Sequence, residues 1–149
     1  MLIEPRPATD PEIAALVVAQ QRELREADGG LDGQVTVTHD DIRYLAFVDA
    51  GRAVACGGIQ GLDPCTGELK RMYVRPAYRG RGIGRQLLAA LEGLAFQQGY
   101  AEIRLETGSY LPAAIGLYTS CGYAPIPVFG EYVANPYSRC FAKRLPVAA

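Results

Sequence analysis

The sequence predicts one mixed α/β domain, and three observations carry that reading. Apolar residues switch between a period of two and a period of 3.6 in the order strand, helix, three strands, helix, strand, helix, two strands. One long amphipathic helix lies between two strand-like segments, the pattern of a helix crossover within a sheet. The chain has 149 residues, which suits one core and leaves little for a second, so residues 1–149 read as a single domain.

Leu2 to Pro7 reads as the first strand. A helix follows, which Thr9 or Asp10 can cap; Pro11 fits its first turn, and Glu12 completes a capping-box pattern with Thr9. Ile13, Leu16, Val17, Gln20 and Leu24 recur at helical spacing, and all but Gln20 are apolar. The pattern ends near Asp28-Gly29-Gly30, and residues 31–43 read as a loop or a short helix. Tyr44 to Asp49 and Ala53 to Leu62 form a hairpin about the turn Asp49-Ala50-Gly51-Arg52, with Gly57-Gly58 as a bulge site. After a turn at Asp63-Pro64, Glu68 to Val74 is a third strand.

Gly82 to Gln98 is the clearest helix. Ile83, Leu87, Leu88, Leu91, Leu94 and Ala95 make its apolar face, and Gly99 suits a left-handed cap. In Ala101 to Thr107, Ile103, Leu105 and Thr107 alternate with Glu102, Arg104 and Glu106, so this strand has two unlike faces. Pro112 to Ser120 reads as a helix closed by Gly122. Tyr123 to Phe129 and Tyr137 to Leu145 read as the last strands, and Pro146 to Ala149 as a disordered end.

Composition narrows the function. Hydrophobic residues are 49% and charged residues 21%, a globular balance, and a formal net charge of −1 lends no support to general nucleic-acid binding. No apolar run is long enough for a membrane helix, and the early Glu4 argues against a signal peptide. Cysteines at 56, 65, 121 and 140 match no zinc or redox spacing, and one histidine, His39, makes no metal cluster. Free thiols in a reducing cytoplasm are the expectation, with no metal.

The chemistry concentrates in Val74-Arg75-Pro76-Ala77-Tyr78-Arg79-Gly80-Arg81-Gly82-Ile83-Gly84, where a strand ends and a glycine-rich loop opens the long helix. Glycines allow positive φ and close approach of the backbone, and the first-turn N–H groups of a helix are unpaired and partly positive. Together they seat a pyrophosphate. Arg79, Arg81 and Arg85 add positive charge. A Walker loop would end in Gly-Lys-Ser/Thr, whereas Arg85-Gln86 follows Gly84 here. A Rossmann fingerprint would space its glycines differently and follow the first strand.

Arg79-Gly80-Arg81-Gly82-Ile83-Gly84 resembles the Arg/Gln-x-x-Gly-x-Gly/Ala loop of the GNAT acetyltransferases. Ala114-Ile115-Gly116-Leu117-Tyr118-Thr119-Ser120-Cys121-Gly122-Tyr123 resembles that family's A-x-x-L-Y-x-x-x-G-F/Y segment, and Glu68-Leu69-Lys70-Arg71-Met72-Tyr73-Val74 its fourth strand. The resemblance covers about half of the chain well. It implies the GNAT fold: a central, mostly antiparallel, twisted sheet flanked by helices, with a parallel, splayed pair of fourth and fifth strands. It also implies acetyl-CoA as acyl donor, lying in the splay. Met72, Tyr73 and Val74 would meet the pantetheine arm, and Arg79, Gly80, Arg81, Gly82, Ile83, Gly84 and Arg85 the pyrophosphate. By the same resemblance Tyr118 is the general acid and the Met72 N–H the oxyanion donor. Glu68, eleven positions before Arg79, is the first candidate base, with Glu106 the second. Many members carry Asn where Leu111 stands, so one polar contact to the donor is lost.

Acceptor choice is expected from the first helix, residues 28–43 and the segment from Phe129 to Tyr137, with Glu131, Tyr132, Tyr137 and Arg139 as candidate contacts. The expected acceptor is a primary amine on a small or amino-acid-like molecule, with a protein N-terminus or lysine as the alternative. A non-catalytic acyl-CoA sensor is the rival class. The resemblance also implies a homodimer.

Overall fold

The strand Leu2–Arg6 (β1) pairs antiparallel with Arg43–Asp49 (β2), which pairs antiparallel with Arg52–Asp63 (β3), which pairs antiparallel with Thr66–Val74 (β4). β4 then runs parallel to Glu102–Gly108 (β5), which pairs antiparallel with Ser138–Arg144 (β7), and β7 in turn with Ala124–Ile126 (β6). These seven strands form one sheet in the order β1-β2-β3-β4-β5-β7-β6. The structure, a computed structural model, describes residues 2–29 and 41–146. His39 and residues 30–40 of the expected acceptor region lie outside the described residues.

Helices cover both faces. Pro11–Asp28 (α1) lays Ile13 and Leu16 on Ile42, Tyr44, Ala46, Ala53, Cys56 and Tyr73. Ile83–Gln97 (α2) and Pro112–Ser120 (α3) share the opposite face. There Leu87, Leu88 and Leu91 pack with Phe47, Ile59, Leu69, Ile103 and Leu105. Leu87 and Leu91 are fully buried, and each such leucine stabilises the fold by about 1.5–3 kcal/mol.

Three expectations need correction. Of the two caps the sequence allows, α1 uses Asp10, whose Oδ1 accepts from the N–H groups of Glu12 (2.8 Å) and Ile13 (3.2 Å), so the capping box expected from Thr9 and Glu12 does not form. With the cap at Asp10, Glu12 falls one position short of a capping box. It reaches instead to β3, where its carboxylate accepts from the Ala53 N–H at 2.8 Å. The strand expected over Tyr123 to Phe129 is only Ala124–Ile126. Pro125 is tolerated because β6 is an edge strand, and Pro127, lacking an N–H, ends the ladder. β4 begins at Thr66, two residues before the expected start at Glu68, and Glu68 is 3% exposed.

The bulge that Gly57-Gly58 suggested has its extra residue on β4. Cys56 faces Tyr73 and Gly58 faces Lys70, so three steps on β4 answer two on β3. Arg71 takes up the difference in the left-handed region, at φ 61. Gly57 makes room for it, since a Cβ there would lie 2.6 Å from both Met72 Sδ and Leu91 Cδ1. The extra residue reverses the alternation of faces. Leu69 and Met72 therefore share the α2 side, and Tyr73 joins the α1 side.

β4 and β5 pair from Thr66↔Glu102 to Leu69↔Leu105 and no further. Beyond that point β4 stays with β3 as far as Val74↔Ala55, and β5 stays with β7 as far as Gly108↔Ser138. The bulge follows directly on the last shared pair. The sheet opens between the two parallel strands.

Candidate active site

Two cavities meet in this opening. One, of about 540 Å³, runs along Met72, Tyr73, Val74, Tyr78 and the loop into α2, with Leu111, Pro112, Ala113, Ala114 and Leu117 as its far wall. The other, of about 390 Å³, is lined by Lys70, Arg71, Glu106, Thr107, Gly108, Glu131 and Tyr132. Gln20, Leu24, Met72, Tyr110, Leu111, Ala114 and Tyr118 line both, so the junction lies among them.

The larger cavity ends on the glycine loop. Gly80 and Gly82 have φ 77 and 78, and nothing lies within 4 Å of where a side chain would start. Gln86 N–H to Gly82 O, at 3.1 Å, is the first α-helical bond of α2. Gly82 has no side chain to cap the earlier N–H groups. They and the positive helix end face the cavity. Arg85 also lines it, held by Ser120 Oγ (2.7 Å) and Cys121 Sγ (3.4 Å) at the end of α3. Arg79 donates to the Val74 carbonyl (2.8 Å), pairs with Glu23 of α1 (2.8 Å) and lies over the Tyr73 ring. Arg81 points elsewhere, onto the Tyr78 ring, and lines neither cavity.

Tyr118 is 7% exposed and touches both cavities. Burial, then Cys121 and Glu106, push its phenol well above the ordinary tyrosine range, so it stays protonated. Glu106 lines the smaller cavity, and its Oε2 accepts from Ser138 Oγ at 2.6 Å. Glu68 lines neither cavity. Its Oε2 accepts from Tyr132 Oη at 2.5 Å, with Lys70 Nζ 3.9 Å from its other oxygen. Burial raises the Glu68 carboxyl above its ordinary range, against the lowering effect of Tyr132 and Lys70.

Tyr132 and Glu131 belong to a 3₁₀ turn, Gly130–Tyr132, in the segment between β6 and β7. Two bonds fasten that segment to β4: Tyr132 to Glu68, and Lys70 to Glu131 at 3.2 Å. Phe129 packs edge-on to Tyr132 and under Arg104. Tyr137 and Arg139 line neither cavity. The Tyr137 carbonyl accepts from Ser109 N–H, and Arg139 donates to the carbonyls of Pro136 and Ser138.

Two lining residues carried no motif. Gln20 donates from Nε2 to the Met72 carbonyl at 2.8 Å. Its signal was a polar residue in the apolar stripe of α1. Tyr110 had none; only the fold shows that Gly108 leaves space for its ring, which a Cβ there would approach to 2.6 Å.

A sheet parted between parallel strands, an anion seat at a helix start and a protonated phenol at the junction define an acyltransferase that draws on a CoA thioester. Residues 10–123 match the Acetyltransferase (GNAT) family, and the chain belongs to it. It is 40% identical over 111 residues to the IAA acetyltransferase of Azospirillum brasilense, covering 74% of this chain and 72% of that one. A solved structure described as an acyl-CoA N-acyltransferase from Klebsiella pneumoniae is 36% identical, with a TM-score of 0.83 over 97% of both chains. A GNAT acetyltransferase from Elizabethkingia anophelis, solved with acetyl-CoA bound, shares the fold at 18% identity and a TM-score of 0.74, over 97% of each chain. The protein is an acetyl-CoA-dependent acyltransferase. The open glycine cradle, the unpaired N–H groups and the apolar wall on α3 fit that donor. Among the described residues no group of three His, Cys, Asp or Glu side chains is placed to hold a metal, and no helix is long and apolar enough to cross a membrane.

Proposed function

We propose that the protein transfers an acetyl group to the primary amine of a small, amino-acid-like molecule. One observation carries this: the second cavity, of about 390 Å³, meets the donor cavity at Met72 and Tyr118 and lies beside a segment latched to β4. A volume of that size is at the low end for small-molecule sites. Charges of both signs line its wall, Glu106 and Arg71 beside the Lys70–Glu131 pair, which suits a molecule with an amine and an acid.

Acetyl-CoA supplies the acyl group as a thioester; the chain supplies the rest. An alkyl ammonium has a pKa of about 10.4, so the acceptor must lose a proton before it can attack. Glu106 takes that proton. It is the carboxylate that lines the acceptor cavity beside Tyr118, and the Ser138 hydroxyl fixes it. Tyr118 holds a proton for the departing sulfur at the junction. Glu68, sealed beneath Tyr132, holds the acceptor-side segment in place. The Arg79–Gly84 loop and the first turn of α2 hold the pyrophosphate.

Calorimetric titration with acetyl-CoA, followed by thiol release over amino acids, simple amines and peptides with free N-termini, tests this. Release on one class of small amine is the expected result. Preference for peptides would turn the reading to a protein acceptor. Binding without release on any amine would favour a sensor.

A further inference from the structure

We infer that Gln20 and Cys56 are positioning residues that clamp the backbone on either side of Met72, so that its N–H faces the junction of the two cavities. The inference deepens the proposed function, because that junction is where negative charge develops on the carbonyl oxygen during acyl transfer.

The geometry has three parts. Cys56, fully buried on β3, donates from Sγ to the Arg71 carbonyl at 3.4 Å. A trans peptide sets its N–H opposite its C=O, and no cis bond occurs among the described residues. With the Arg71 carbonyl turned to β3, the Met72 N–H is turned away from it, into the gap. On the next peptide, Gln20 Nε2 holds the Met72 carbonyl from α1 at 2.8 Å. Arg71, just before this stretch, sits at φ 61, a conformation that a non-glycine residue keeps only when its surroundings over-determine it, and Cys56 holds its carbonyl. Burial pushes the Cys56 thiol up to about 12, so it keeps the proton it donates.

The first readout is the Met72 amide resonance of the whole protein, titrated separately with coenzyme A and with acetyl-CoA. In the wild type it shifts downfield with acetyl-CoA beyond its response to coenzyme A, since only acetyl-CoA carries a thioester carbonyl. Gln20→Leu and Cys56→Ala lose that extra shift and keep coenzyme A affinity within twofold. Cys56→Ser, which restores a donor, recovers it. Turnover on the amine that the wild type accepts falls about tenfold or more in the first two variants, towards the ~10²-fold cost of losing an oxyanion donor. An equal extra shift in wild type and both variants overturns the inference, as does its absence from the wild type. Failure of the wild type to release thiol on any amine, with the amide shift intact, would sink the proposed acceptor instead.

Discussion

The hydroxyl of Tyr132 donates a 2.5 Å hydrogen bond to the carboxylate of Glu68, across 64 positions of sequence and inside the protein. It ties the segment between β6 and β7 to the floor of the sheet beside the acceptor cavity. Tyr132→Phe leaves a buried carboxylate oxygen without this donor, at a cost of about 1–3 kcal/mol. The Glu68 carboxyl is raised by burial, so its folded value lies above the unfolded value of about 4.3. Its stability contribution is therefore fully present below that unfolded value and is lost as pH rises through the folded one. Removing Tyr132 removes an influence that lowers this value, so the window widens upward. Urea denaturation of wild type and variant should show a deficit that grows as pH rises from 4 to 7. A pH-independent deficit would mean that Glu68 does not respond to Tyr132. The acceptor KM should rise while acetyl-CoA affinity is unchanged.

Glu106→Gln removes the carboxylate on the acceptor wall but keeps a side chain that Ser138 can bond. Turnover should fall by about 10²–10⁴-fold, the usual worth of a positioned base. Acetyl-CoA affinity, read by calorimetry, should hold. Glu68→Gln should cost far less in turnover and show mainly in acceptor KM. The reverse order would make Glu68 the base.

Tyr118→Phe keeps the ring in its packing against Tyr123 and removes only the hydroxyl. Turnover should drop with little change in donor affinity or melting temperature. Because the phenol is held well above its ordinary range, its own ionisation should not appear as an alkaline limb in the wild-type rate profile between about pH 8 and 10. Such a limb, lost in Tyr118→Phe, would contradict this.

Gly82→Ala and Gly57→Ala should fail for opposite reasons. At Gly82 a Cβ meets nothing, so the strain comes from φ 78, about 1–2 kcal/mol, with donor affinity lost as the N–H groups turn away. At Gly57 the Cβ would lie 2.6 Å from Met72 Sδ and Leu91 Cδ1, and overpacking costs about 1–3 kcal/mol. Thermal melts with and without acetyl-CoA separate them: added donor should restore much less stability to the first variant than to wild type.

Much of the fold was legible because local rules agree with it. Period, caps and turn residues placed each helix and strand within a few residues, and the glycines at 80 and 82 sit where the loop needs positive φ. The misses were local contests decided at a distance. Glu12 abandoned the capping box for a strand N–H forty-one positions away, and Pro127 ended β6 early.

The sequence by itself determined the order of elements, the glycine loop that opens α2 and the family to which the motifs belong. It could not tell Glu68 from Glu106, since both are acids on polar faces of neighbouring strands. Only the tertiary structure decided that Tyr132 covers one while the other lines a cavity, and that Gln20 turns inward to the Met72 carbonyl. The physical reason is that a strand's pattern records which face is polar, whereas what covers that face arrives from segments tens of residues away. The bulge at Arg71 makes the same point: one left-handed residue reverses the alternation and opens the sheet, and nothing in the period around it announces that turn.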